Sequence, residues 1–132
     1  MTKSIRVLLV DDEELFVKTL SQVLMKRGMS VQGANNGSRA MELISSACGS
    51  YDVVLLDMRM PGMNGVATIK AIRECSPLLP VILLTGHADI KNVSDALKEG
   101  VHEVLLKPCP IDTLVASIEN ANEWRAMAEQ LP

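Results

Sequence analysis

Short apolar runs alternate along this chain with segments whose apolar residues recur every three or four positions. Ile5 to Val10 is nearly continuous and stops at Asp11-Asp12-Glu13-Glu14. Val53-Val54-Leu55-Leu56 runs into Asp57, Pro80 to Leu84 into Thr85, and Val101 to Leu106 into Lys107-Pro108. Unbroken runs of this length suit strands buried on both faces of a parallel sheet. Met29 to Ala34 mixes in Ser30, Gln32 and Gly33, which suits an edge strand.

The intervening segments read as helices. From Glu14 to Arg27, Leu15, Phe16, Leu20, Val23 and Leu24 fall at helical spacing, acids open the first turn, Lys26 and Arg27 close the last, and Gly28 stops it. After the turn Asn35-Asn36-Gly37, Ser38 to Ala47 carries Ala40, Met41, Leu43 and Ile44 on one side. A loop rich in Pro and Gly follows Asp57, and Asn64 can cap a helix over Gly65 to Cys75 with Val66, Ile69 and Ile72 on an apolar side and Lys70 and Arg73 on a basic one. Asp89 can cap a fourth helix that Gly100 closes after Glu99. The last helix runs from Ile111 to about Gln130. Its stripe of Leu114, Ile118, Ala121, Arg125 and Ala128 is compatible with a partner-helix or homodimer seam, but packing of Leu114 to Ala121 on the chain's own sheet with a frayed tail beyond is expected ahead of a constitutive dimer.

Strands alternating with helices predict an α/β fold, a parallel sheet covered on both faces with right-handed crossovers. The carboxyl ends of such strands share one edge, so Asp11, Asp12, Asp57, Thr85 and Lys107 converge there. Each alone has a plainer meaning. Asp57 can begin a turn, Asp11-Asp12 can complement a helix dipole, Thr85 can be a turn hydroxyl and Lys107 a solvated charge. Their joint occurrence at four strand ends points to a site. Carboxylates crowded to ~4 Å repel by several kcal/mol per pair at an effective dielectric of about 20, which a divalent ion relieves. Oxygen ligands favour Mg²⁺, Mn²⁺ or Ca²⁺ over zinc. A carboxylate can also be a nucleophile that forms an aspartyl phosphate, with lysine and hydroxyl donors on the phosphoryl oxygens.

Composition narrows the partners. At 132 residues, 48% hydrophobic and 22% charged, the chain suits one compact domain. A net charge of −3 offers no basic field for nucleic acid phosphates, and with Phe16, Tyr51 and Trp124 as its aromatics the chain has no base-stacking platform. No apolar run approaches the ~18 residues of a membrane span, and the first residues lack a signal-peptide core, so neither nucleic acid nor membrane is expected as a partner and the location is expected to be cytoplasmic. Cys48, Cys75 and Cys109 have no metal-ligand spacing and fit reduced thiols; His87 and His102 read as surface or satisfied side chains. The glycines match neither a P-loop nor a dinucleotide fingerprint.

Val10-Asp11-Asp12-Glu13, Leu56-Asp57-Met58-Arg59-Met60-Pro61-Gly62-Met63-Asn64-Gly65, Leu84-Thr85-Gly86-His87 and Leu106-Lys107-Pro108 together resemble the receiver domain of bacterial two-component response regulators, across essentially the whole chain. The resemblance implies a flavodoxin-like fold with strand order 2-1-3-4-5, a single receiver domain over residues 1–132. It implies that Asp57 accepts a phosphoryl group from a sensor histidine kinase or phosphotransfer protein, with Mg²⁺, or Mn²⁺ in its place. Asp12 and Asp57 would ligate the metal directly, the backbone carbonyl of Arg59 would add a ligand, and Asp11 would act through water. Thr85 and Lys107 would bind phosphoryl oxygens, Arg59 and His87 would flank them, and the Lys107-Pro108 bond is expected cis. Val104 departs from the family, which usually places Tyr or Phe there, so loop movement after Thr85 is expected to carry the switch to the face formed by the fourth helix, fifth strand and last helix. That face would meet a downstream effector or a second copy, in a monomer or weak dimer that tightens on phosphorylation. A stand-alone regulator is expected rather than part of a longer chain. The alternatives are a Mg²⁺-dependent phosphohydrolase, against which Arg59 stands where a second Asp would be needed, and an inert scaffold, against which the intact acidic residues speak.

Overall fold

In the computed structural model, the structure describes residues 4–46, 50–58, 65–86 and 90–131, with the backbone alone for 90–92. The elements follow one another as β1 (Arg6–Val10), α1 (Glu14–Lys26), β2 (Ser30–Ala34), α2 (Gly37–Ser46), β3 (Val53–Asp57), α3 (Gly65–Cys75), β4 (Val81–Thr85), α4 (Ile90–Lys98), β5 (Glu103–Leu106) and α5 (Ile111–Glu129). The strands form one parallel sheet in the order β2-β1-β3-β4-β5, so the mixed strand β2 does lie at an edge. Expected alternatives for Asn64 and Asp89 as helix caps lie outside the described residues.

Strand alternation sorts the core into two layers. Val7, Leu9, Val53, Leu55, Ile82 and Leu84 pack with α1 and α5 through Leu24, Leu114, Ile118 and Ala121. Leu8, Val10, Val54, Leu56, Val81 and Leu83 face the other way, onto Ala40, Ile44, Ile69, Ile72 and Ala96 of α2, α3 and α4. Val53 to Leu56 and Val81 to Leu83 are completely buried, which is why their sequence shows no polar alternation.

Element ends follow backbone chemistry. At the end of α1, Gly28 takes φ +85°, its N–H donates to Met25 O at 3.0 Å, and the Met29 N–H donates to Leu24 O at 3.1 Å. This closes the helix with a left-handed residue and uses Met29, so β2 begins one residue later than its apolar pattern predicts. Asn36 Oδ1 accepts the Arg39 N–H at 2.7 Å and starts α2. Gly100 at φ +84° displaces the start of β5 to Glu103.

Three details of the helices differ from the pattern. Leu15 is 77% exposed, because Phe16, Val17, Leu20 and Leu24 already fill the stripe that meets the sheet. Arg73 is not on a basic surface: its guanidinium turns in to donate to the carbonyls of Leu79 (2.6 Å), Pro77 (3.2 Å) and Gly100 (3.3 Å), and burial lowers its pKa. The α5 stripe is engaged by its own chain. Leu114, Ile118 and Ala121 are buried against the sheet, and Arg125 donates to Tyr51 O and to Asp52 Oδ1 at 3.2 Å, so these four side chains are engaged within their own chain. Arg125 Nε also pairs with Glu129 at 3.0 Å, without the alignment of a hydrogen bond. No helix among the described residues is long and apolar enough to cross a membrane.

Candidate functional site

The site sits where β1, β3, β4 and β5 end. Asp11 continues the β1 ladder, its N–H donating to Ala34 O at 3.0 Å, and its Oδ1 accepts the Glu13 N–H at 2.9 Å. That second bond turns the chain toward α1 and holds the carboxylate almost wholly buried. Asp12, one residue on, points to the opposite environment and is exposed. Asp57 is the last residue of β3 and buried. Beyond it the backbone is confined: a Cβ on Gly65 would lie 2.8 Å from Met58 Sδ and 3.1 Å from Met58 O, so only glycine lets α3 start so close to β3.

Each of Asp11, Asp12 and Asp57 offers a carboxylate oxygen, and these oxygens lie within 4.8 Å of one another. The convergence expected from separate strand ends is therefore real in space. Among the described residues, Lys107 brings a cation to this cluster. Its Nζ donates to Asp11 Oδ2 at 2.9 Å, stands 3.6 Å from Asp57 Oδ1 and lies over the Phe16 ring, 4.4 Å from the centroid. Burial works against the charge on Lys107, but the Asp11 hydrogen bond and the charges of Asp57, Asp11 and Glu13 outweigh it and raise the pKa above the ordinary lysine value. The backbone reinforces this placement, since the Lys107 N–H donates to Thr85 O at 2.9 Å. The Lys107-Pro108 peptide is cis.

Thr85 is buried at the end of β4, and its hydroxyl donates to Gly86 O at 3.2 Å. Val104 is half-buried on the α2–α4 side of the sheet, packed against the core cluster that includes Leu83 and Ala96. The Arg59 carbonyl and His87 lie outside the described residues. His102 precedes β5, its N–H donating to Val81 O at 2.8 Å at the start of β4, and its ring is tilted against Trp124 with centroids 6.0 Å apart.

Among the described residues the donor set is made of carboxylate oxygens, which suits a hard divalent cation such as Mg²⁺. Both Asp11 oxygens are committed, one to Glu13 N–H and one to Lys107, whereas Asp12 is open to solvent. Phe16 in this neighbourhood was read from the sequence only as part of an apolar helical stripe, and Asp52, at the opposite end of β3, was not singled out at all. Phe16, the chain's single phenylalanine, had position as its sole signal, one helical turn beyond the acidic pair. Asp52 carried no signal of its partners Arg6 and Arg125.

Residues 7–119 match the response regulator receiver domain family. The chain is 34% identical over 131 residues to the regulatory protein AtoC of Escherichia coli (strain K12), covering 99% of this chain and 28% of that protein. It thus spans about a quarter of the length of the curated relatives it matches. Among solved structures, a response regulator receiver domain protein from Clostridium thermocellum superposes with a TM-score of 0.90 at 32% identity, over 94% of this chain and 98% of that one. The beryllofluoride-activated NtrC4 receiver domain dimer gives a TM-score of 0.83 at 35% identity, over 91% of this chain and 98% of that one. These matches do not favour a phosphohydrolase.

Proposed function

The chain belongs to the response regulator receiver domain family, a signalling module of two-component systems, and from that premise we propose that Asp57 is its phosphoryl acceptor. A carboxylate oxygen of Asp57 attacks the phosphorus of a phosphohistidine on a sensor histidine kinase or phosphotransfer protein; the P–N bond breaks and the histidine nitrogen keeps the electron pair. The same site catalyses the later loss of the phosphoryl group to water. The observation that carries this reading is the approach of Asp11, Asp12 and Asp57 to within 4.8 Å, with Lys107 Nζ 3.6 Å from Asp57.

Asp12 and Asp57 are the residues that would hold Mg²⁺ or Mn²⁺, with the Arg59 carbonyl, while Asp11, its oxygens already committed, would act through water. When bound, the ion supplies positive charge to the phosphoryl oxygens. Lys107 donates to one phosphoryl oxygen, and the Thr85 hydroxyl turns from Gly86 O to another. With Val104 in place of an aromatic, the loop after Thr85 and α4 carry the change to the α4–β5–α5 face, where an effector or a second copy binds. That the NtrC4 receiver forms a beryllofluoride-activated dimer supports the binding of a second copy. We place the receiver, residues 1–132, in the cytoplasm.

The test is incubation with phosphoramidate and Mg²⁺, followed by intact mass and borohydride trapping. One phosphoryl group per chain on Asp57 is expected, and none on Asp57→Asn, whose amide is not a nucleophile. A stable phosphoryl group gained by Asp57→Asn at a comparable rate would show that the acceptor lies elsewhere. Multiple rapid turnover of the donor would point to a phosphohydrolase instead.

A further inference from the structure

We propose that Phe16 is a positioning residue for phosphoryl transfer, its ring face holding the Lys107 ammonium beside the Asp57 carboxylate. The proposal rests on the reading of Asp57 as acceptor.

A lysine ammonium is a strongly hydrated charge on a flexible stem, so its place must be imposed by its surroundings. Asp11 alone would draw Lys107 toward β1, since it takes a 2.9 Å hydrogen bond while Asp57 is 3.6 Å away. The Phe16 ring lies 4.4 Å from the same nitrogen. Its π face attracts the cation but has no lone pair, so it consumes no directed N–H donor. An ammonium has three donors; one goes to Asp11, and the ring leaves the others for the Asp57 side. A carboxylate at residue 16 would add another negative charge beside three aspartates, and an aliphatic side chain would supply no attraction.

The ring itself is fixed by packing. Phe16 belongs to the α1 stripe, packed on the layer that includes Leu84 and Leu114, and shares with Leu20, Lys107 and Pro108 the lining of an apolar groove of about 350 Å³. The α1 helix thus reaches the reacting group without a polar side chain in the site.

Phe16→Leu keeps apolar bulk and removes the π face. Phosphorylation of Asp57 by phosphoramidate at saturating Mg²⁺ should slow about three- to tenfold, with Phe16→Tyr restoring the rate. Mg²⁺ affinity from amide shift titration should match the parent protein, and the melting temperature should fall by no more than a few degrees, the cost of altered packing at one half-buried position. In a Lys107→Ala background, Phe16→Leu should have no further effect on the rate, because its influence passes through the ammonium. The Lys107 ε-methylene protons should show an upfield ring-current shift that Phe16→Leu removes, a readout independent of phosphorylation. An unchanged rate in Phe16→Leu, or an equal loss with and without Lys107, overturns the positioning role and leaves a packing residue. A parent protein that shows the ring-current shift but takes no phosphoryl group overturns the acceptor reading, and the role of Phe16 in transfer with it.

Discussion

Lys107 Nζ donates to Asp11 Oδ2 at 2.9 Å, so the cation that follows β5 is bonded to the carboxylate that follows β1, across 96 residues of sequence. Asp11 is almost wholly buried and the Lys107 side chain only 24% exposed, so this pair is shielded from water far more than a surface ion pair.

Lys107→Ala should therefore strip a buried carboxylate of its cation and destabilise the fold by about 1–3 kcal/mol in the presence of EDTA. Mg²⁺ should return more stability to this variant than to the parent, because the ion then meets carboxylates that no ammonium shares. Urea unfolding with and without Mg²⁺ checks this. Equal Mg²⁺ increments for both proteins would contradict the idea that Lys107 offsets the acidic cluster. Phosphoryl acceptance should persist in the variant, uncoupled from movement after Thr85.

Asp12→Ala separates metal binding from folding. Its side chain is exposed and beside two other carboxylates, so its loss should change stability in EDTA by less than about 0.5 kcal/mol. Mg²⁺ affinity, read by amide shifts, should fall by more than about tenfold, since the charged oxygen ligand proposed above is removed. A normal Mg²⁺ titration would exclude Asp12 as a ligand.

Asp52 sets a pH dependence at the other end of the sheet. It accepts the Arg6 backbone N–H at 2.8 Å and the Arg6 guanidinium at 2.9 and 3.1 Å, with Arg125 at 3.2 Å. Burial pushes its carboxyl up, but the Arg6 hydrogen bonds and the charges of Arg6 and Arg125 prevail and hold it below the usual carboxylate range. A lowered acid stabilises the folded state fully above its unfolded pKa of about 3.9 and loses that contribution as pH falls through the lower folded value. Asp52→Asn should cost about 1–3 kcal/mol at neutral pH, and its deficit against the parent should shrink below about pH 4. A deficit that stays constant down to pH 3 would mean that the carboxylate charge contributes nothing. The same variant should speed amide exchange over the last turns of α5, which Arg125 ties to Asp52.

Gly65→Ala should destabilise by about 1–3 kcal/mol, because the added Cβ meets Met58 backbone atoms at 3.1 and 3.2 Å as well as its sulfur. Gly86→Ala meets nothing within 4 Å and should shift stability by no more than about 0.5 kcal/mol. Thermal melts of the two variants side by side check the contrast.

The amino-acid sequence by itself determined the strands, the helices and the edge at which Asp11, Asp12, Asp57 and Lys107 gather. Burial on two faces demands unbroken apolar runs such as Val53 to Leu56, and burial on one demands helical spacing such as Phe16, Leu20 and Leu24, so these signals are local and legible. The acids and the lysine were legible as well, because a charged residue ending an apolar run is a local pattern. Tertiary structure alone decided who meets whom. That Lys107 bonds Asp11 more closely than Asp57, that Phe16 lies under the ammonium while Leu15 faces water, and that Arg125 reaches Asp52 instead of another chain depend on how helices seat on the sheet. A hydrogen bond or a cation over a ring needs placement to within a few tenths of an ångström. Hydrophobic periodicity fixes only a face, and packing between elements distant in sequence supplies the rest.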